Sequence, residues 1–119
     1  MKPKESEKTL EARLVREIEA RGGMALKYTS QYHRGIPDRI VLMPYGRIYF
    51  VELKSTGKTP TKLQVHAMRQ LQERGFIAWV VDDTAKLEQF LLTVDVDQFL
   101  LTVDVDQGYF RPIDVKRKF

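Results

Sequence analysis

Apolar residues at Leu10, Leu14, Val15 and Ile18 recur at helical spacing, and Gly22-Gly23 follows them, so the pattern predicts a helix over 10–20. The polar stretch 2–9 before it reads as a frayed lead-in. Residues 24–29 read as a short strand, and 30–37 have the composition of a loop. Two β-rich runs, 38–43 and 47–54, flank Pro44-Tyr45-Gly46, which is a hairpin signal. Thr59-Pro60 then predicts a helix start, with a capping threonine and proline at the first helical position. That helix runs to about Arg74, and Gly75 stands at its end. The nearly all-apolar run 76–81 predicts a strand buried on both faces. Asp82-Asp83-Thr84 predicts the start of a further helix from about Ala85. The resulting order, α-β-β-β-α-β-α, describes a single mixed α/β layer structure.

The pattern holds one oddity. The nonapeptide FLLTVDVDQ at 90–98 recurs unchanged at 99–107, as an exact tandem duplication. Nine helical steps of about 100° rotate the second copy by about 180°, and an odd offset on a strand also reverses the face. One continuous element therefore cannot present both Phe-Leu-Leu runs to the same core. The expectation is that the first copy completes the last helix near Phe90, Leu91 and Leu92, while a break or loop displaces the other. A displaced copy would be free to extend a dimer contact, including a swapped one. Asp95, Asp97, Asp104 and Asp106 have no glycine-bearing calcium loop around them and are read as solvated.

Composition adds bounds rather than a function. The 119 residues suit one domain, with 43% hydrophobic and 30% charged residues, an ordinary globular balance. The expected division is a core over 1–92 and an extension over 93–119 that holds the second repeat. No cysteine is present, which excludes disulfides, thiol chemistry and cysteine zinc sites. A net charge of +4 mildly favours an anionic partner. Neither a membrane span nor a signal-peptide core is visible, which points to a cytoplasmic protein, in a bacterium or a phage-infected host cell.

Candidate chemistry comes from register. If Pro44-Tyr45-Gly46 forms a three-residue loop, a type I turn closed by a left-handed glycine, Met43 pairs with Arg47 and Asp38 lies opposite Glu52. Glu52 and Lys54 then share one face and Leu53 takes the other. Two carboxylates and an amine on one face suit metal-assisted phosphodiester hydrolysis, because hard oxygen ligands hold Mg²⁺ and a lysine handles the attacking water. A two-residue turn would separate Asp38 from Glu52, and a Glu-Lys pair on a solvated face is also ordinary.

The helices shift that balance. With Leu10 at zero and about 100° per residue, Leu14, Ile18 and Val15 fall near 40°, 80° and 140°, and Glu11 falls among them at about 100°. With Leu63 at zero, Gln64 falls at about 100°, inside an arc made by Ala67, Leu71 and Met68. Gln64 alone is equally read as a first-turn glutamine bonding backbone. An inward glutamate costs stability unless it is paired or metal-bound. Four inward polar groups on four elements make one site the simpler reading.

These residues resemble the PD-(D/E)xK nuclease superfamily and, within it, the VRR-NUC domain family of stand-alone phage-type proteins. Glu11, Gly35-Ile36-Pro37-Asp38, Val51-Glu52-Leu53-Lys54 and Gln64 carry the resemblance, which covers roughly residues 5–92. It implies a restriction-endonuclease-like α/β fold with an α-β-β-β-α-β core, a mixed sheet flanked by helices. It also implies a Mg²⁺- or Mn²⁺-dependent DNA endonuclease. Asp38, Glu52 and the Leu53 backbone carbonyl would bind metal, Glu11 would be an outer or additional ligand, and Lys54 would handle the water. Gln64 would orient the lysine or the water. Homodimers selective for branched DNA, such as four-way junctions, are implied by the same likeness to Holliday-junction resolvases.

Around the site, Lys27, His33, Arg34, Lys58 and Lys62 are candidate phosphate contacts. Tyr28 is read as a core residue sharing a strand face with Met24 and Leu26, and His66 as a surface residue. The competing functions are a non-catalytic nucleic-acid-binding subunit of a replication or repair assembly and a regulatory protein partner. The acidic set favours the enzyme, since a binder needs basic side chains instead.

Overall fold

A computed structural model of the chain describes residues 4–29 and 33–106, with side chains described through residue 100. The order is α1 (Glu7–Ala20), β1 (Met24–Lys27), β2 (Arg39–Met43), β3 (Arg47–Leu53), α2 (Lys62–Glu73), β4 (Ile77–Val81) and α3 (Thr84–Asp106). The four strands form one sheet in the order β1-β2-β3-β4, antiparallel except for the parallel β3–β4 pair. This is the expected mixed α/β layer structure.

Strand alternation sorts the sheet into two faces. Val41, Met43, Tyr49, Val51, Leu53 and Val81 point to one side and form the main core with Leu10, Leu14 and Ile18 of α1 and Leu87, Phe90, Leu91 and Val94 of α3. Tyr49 and Trp79 meet the Phe90 ring edge-on, with centroids 5.6 and 5.8 Å away. The other side carries Ile40, Phe50 and Glu52, and α2 covers its β4 end. There the Phe50 ring meets Phe76 edge-on at 5.7 Å.

Several local expectations change. The lead-in is anchored: Ser6 caps α1 by accepting from the Thr9 N–H, and Glu5 accepts from the Thr84 hydroxyl. The second helix starts after Thr61 rather than Thr59, because Thr61 and Gln64 form a reciprocal capping box that Thr59 has no partner to make. Tyr28 is 44% exposed rather than in the core; β1 turns Ala25 to the core and leaves Met24, Leu26 and Tyr28 outside. The strand at 77–81 buries only Val81 fully, because it is the sheet's edge.

The duplicated segment shows the largest difference. α3 is continuous from the first copy into the second with no break, as far as Asp106. The half-turn rotation still holds: Phe90, Leu91 and Val94 are buried, while Phe99 and Leu100 are exposed. The first copy's polar residues are not merely solvated. Arg21 donates to Asp95 at 2.8 Å, Tyr49 donates to Asp97 at 2.5 Å, and Arg47 donates to the Gln98 carbonyl oxygen at 2.6 Å and to the Val94 backbone. Burial and the Asp97 carboxylate push the Tyr49 phenol up to about 12. The side chains of Asp104 and Asp106 lie outside the described residues. No helix among the described residues is long and apolar enough to cross a membrane.

Candidate active site

The hairpin register decides whether the acidic residues meet. Met43 pairs with Arg47 and Arg39 with Val51, so one further step sets Asp38 opposite Glu52. The turn reaches this register by another route than expected. Tyr45 as well as Gly46 adopts positive φ, 68° and 74°, in a one-turn 3₁₀ segment. The Tyr28 N–H donates to the Asp38 carbonyl at 2.7 Å and ties the loop end to β1. Gly35, at φ 86°, lies so close to α2 that a Cβ there would stand 2.5 Å from the Leu63 carbonyl oxygen. Glycine at this position lets the Gly-Ile-Pro-Asp loop pack onto the start of α2.

Glu52 is buried. Its Oε2 lies 3.6 Å from Lys54 Nζ and accepts from Gln64 Nε2 at 3.2 Å. Gln64 Oε1 simultaneously accepts from the Thr61 N–H at 2.9 Å. Gln64 therefore makes two contacts at once: its oxygen caps the helix and its nitrogen donates to Glu52. Burial raises the Glu52 pKa, the Asp38 carboxylate adds to the rise, and Lys54 opposes it. Asp38 is likewise raised by burial, against the opposing charges of Arg39 and Lys27. Its Oδ1 is buried with no hydrogen-bond partner, which is costly for a carboxylate unless a cation meets it.

Glu11 takes a basic partner. Asp38 and Arg39 alternate across β2, and Arg39 points toward α1, where its guanidinium lies 2.9 Å from Glu11 Oε1 and donates to the Ala25 carbonyl at 3.1 Å. Glu11 thus pairs with Arg39 on the α1 side, from where its charge still reaches Asp38, while Gln64 of α2 holds Glu52. Accordingly, no group of three or more acidic or histidine side chains suited to a metal forms among the described residues. Arg39 is the residue that sequence reasoning missed. Its signal was present, since alternation from Asp38 aims it into the apolar row of Val41 and Met43.

Among the basic candidates, Lys27 has its charge within reach of Asp38. Lys58 and Lys62 are exposed on the loop before α2 and on its first turn. Arg34 is exposed in the loop before Asp38. His33 lies in a groove with Ile36, Gln70 and Arg74, along α2. His66 is exposed, as expected. A further groove of about 330 Å³, lined by Ile48, Tyr49, Ile77 and Leu100, lies at the opposite end of β3 from Glu52.

No protein-family model matches the chain. It is similar to a curated protein named "Putative nuclease p44" from Acyrthosiphon pisum secondary endosymbiont phage 1. The two are 41% identical over 76 residues, 64% of this chain and 82% of that protein. The chain belongs to the VRR-NUC nuclease family. A solved structure described as a VRR_NUC domain superimposes with a TM-score of 0.68 at 25% identity, covering 73% of this chain and 96% of that one. The VRR-NUC assignment accounts for the mixed sheet with flanking helices and brings a nuclease function with it.

Proposed function

We propose that this VRR-NUC protein is a divalent-metal-dependent DNA endonuclease of the PD-(D/E)xK type, acting as a homodimer on branched DNA such as four-way junctions. The observation that carries the reading is the unpartnered, buried Asp38 Oδ1 beside Glu52, with Lys54 Nζ 3.6 Å from the Glu52 carboxylate. The donor set suits a hard cation, since carboxylate oxygens and a backbone carbonyl are the ligands Mg²⁺ and Mn²⁺ take. Asp38, Glu52 and the Leu53 carbonyl would hold it. When bound, such an ion neutralises charge developing on the phosphate and acidifies water.

The chain's own residues do the rest. Lys54, anchored by Glu52, holds its Nζ beside that carboxylate, where it orients the attacking water and manages its proton. Gln64 fixes the Glu52 carboxylate. Glu11 acts from outside the cluster, through Arg39 and through its charge on Asp38. Lys27, His33, Arg34, Lys58 and Lys62 supply phosphate contacts that set the register of the DNA. The setting is the cytoplasm of a bacterium or a phage-infected host cell.

The test is incubation with supercoiled plasmid and synthetic four-way junctions in Mg²⁺, Mn²⁺ or EDTA. Cleavage should require the metal. Asp38→Ala and Lys54→Ala should abolish it while leaving the circular dichroism spectrum unchanged. Tight binding without cleavage under every metal condition would instead support the non-catalytic nucleic-acid-binding subunit.

A further inference from the structure

Residues 54–74, the loop after β3 together with α2, carry Lys54, Lys58, Lys62, Arg69 and Arg74 against a single acid, Glu73. Lys54 serves Glu52, and Arg74 turns back to donate to the Gln70 carbonyl of its own helix at 2.9 Å. Lys58, Lys62 and Arg69 are exposed, and among the described residues none of the three forms an ion pair or side-chain hydrogen bond. Elsewhere the chain pairs many of its bases. On the other side of the sheet Arg13 meets Glu88, Arg21 meets Glu17 and Asp95, and Arg39 meets Glu11, while Lys86 at the start of α3 meets Asp82.

Helix stability does not account for the unpaired set. A helix gains from acids set three or four residues from bases, as Glu17 with Arg21 and Asp82 with Lys86 show. No acid stands within four residues of Lys62, and Glu73 makes no ion pair with Arg69 among the described residues. At about 100° per residue, Lys62, His66 and Arg69 fall within about 60° of one another. They form one exposed ridge, turned away from the buried Ala67 and Met68. The ridge begins beside the acidic pair, because Lys62 shares the first turn of α2 with Gln64, which holds Glu52. From Lys62 to Arg69 the helix rises about 10.5 Å at about 1.5 Å per residue, or about three nucleotide steps of one DNA strand at about 3.4 Å each.

We propose that this ridge, Lys62, His66 and Arg69 with Lys58 ahead of it, holds the phosphate backbone of the DNA duplex arm that leads away from the scissile phosphate. The phosphates supply the counter-charge that the fold withholds from these side chains. Such contacts position a duplex without reading its sequence, the lysines and arginine through charge and the imidazole as a hydrogen-bond donor. The grip on the arm then lies on α2, while the reaction lies at Asp38, Glu52 and Lys54. That the partner is DNA rests on the endonuclease reading above.

The test is fluorescence anisotropy of a labelled duplex and a labelled four-way junction, titrated in EDTA at several salt concentrations. Arg69→Gln and Lys62→Gln should each lower the slope of log K against log salt by about 1, and the double variant by about 2. Arg16→Gln removes an equally exposed cation from α1, on the other side of the sheet, and should leave the slope as in wild type. Arg69→Lys keeps the charge and should restore the slope, which separates phosphate contact from any change in the helix. In Mg²⁺, Arg69→Gln should raise KM by about 3–10-fold while kcat changes by less than about twofold. A wild-type slope in Arg69→Gln, or an equal loss in Arg16→Gln, overturns the ridge whether or not the protein cleaves. Ridge-dependent binding without cleavage in any metal overturns the endonuclease reading and leaves the ridge in place. A wild-type protein that binds no DNA at low salt overturns both.

Discussion

Gln64 offers the sharpest separation of architecture from chemistry, because one side chain serves both ends. Its Oε1 closes the capping box with Thr61, and its Nε2 donates to Glu52 at 3.2 Å. Three substitutions divide these roles. Thr61→Ala removes the threonine's cap and leaves the Glu52 contact, so it should cost about 1 kcal/mol, or about 4 °C in melting temperature, with cleavage near wild type. Gln64→Ala loses its half of the box and a donor to a buried carboxylate. A hydrogen bond to a charged group contributes about 1.5–3 kcal/mol, so the total loss should be about 2–4 kcal/mol. If the same contact positions Glu52 for the reaction, cleavage should fall by about 10–100-fold. Gln64→Glu keeps an acceptor for the Thr61 N–H but sets a second carboxylate against Glu52, so it should melt above Gln64→Ala yet cleave no better. Urea titration and plasmid nicking on the same preparations read both quantities. Equal cleavage losses in Thr61→Ala and Gln64→Ala would refute the reasoning, since Gln64 would then act only as a cap. Full activity in Gln64→Glu would refute it as well.

Other consequences follow from the same geometry. Burial raises the pKa of Asp38 and Glu52 above their unfolded values, so the folded state binds more protons than the unfolded state between those values. Without metal, stability should therefore rise as pH falls from above the folded values to the ordinary carboxylate range; a flat or falling melting temperature across that interval would contradict this. In the same metal-free protein, Asp38→Asn should melt higher than wild type at neutral pH, because it removes a charge whose burial outweighs the pull of Arg39 and Lys27 and whose Oδ1 has no hydrogen-bond donor. Arg39→Met should destabilise by less than the roughly 3–5 kcal/mol of a fully buried pair, since Glu11 retains some solvent contact; chemical denaturation measures it. Gly35→Ala should cost about 1–3 kcal/mol from positive φ alone and lower cleavage further, because the loop carrying Asp38 must move off Leu63. An alanine variant with unchanged stability and cleavage would show that the loop tolerates the shift.

What was legible in the sequence was whatever obeys local rules. Helical spacing aimed Leu10, Leu14 and Ile18 at the core, and turn length set Asp38 opposite Glu52. The misses involve partners far apart along the chain. The wheel placed Glu11 inward correctly, but only the pairing of α1 with β2 reveals that Arg39 receives it. Likewise, an apolar run does not say whether its strand lies central or at an edge, so 76–81 read as buried on both faces. Tyr28 failed for a related reason: alternation names which residues share a face, not which face is covered. In α3 the rotation between copies was computable, but not that the helix would tolerate exposed phenylalanine and leucine rather than break.

That unbroken helix shows how a fold acquires a surface in one genetic event. A duplication inside the sheet would shift every later strand, whereas at the end of α3 the added residues extend past the packed part and leave the core as it was. The length also matters. A repeat of about seven or eleven residues nearly restores helical phase and would only prolong the buried stripe. Nine residues land half a turn away, turning a sequence selected for the interior into one displayed outside. An in-frame copying error thus supplies a ready-made apolar patch, on which selection for assembly, or against it, can act without passing through an unfolded intermediate.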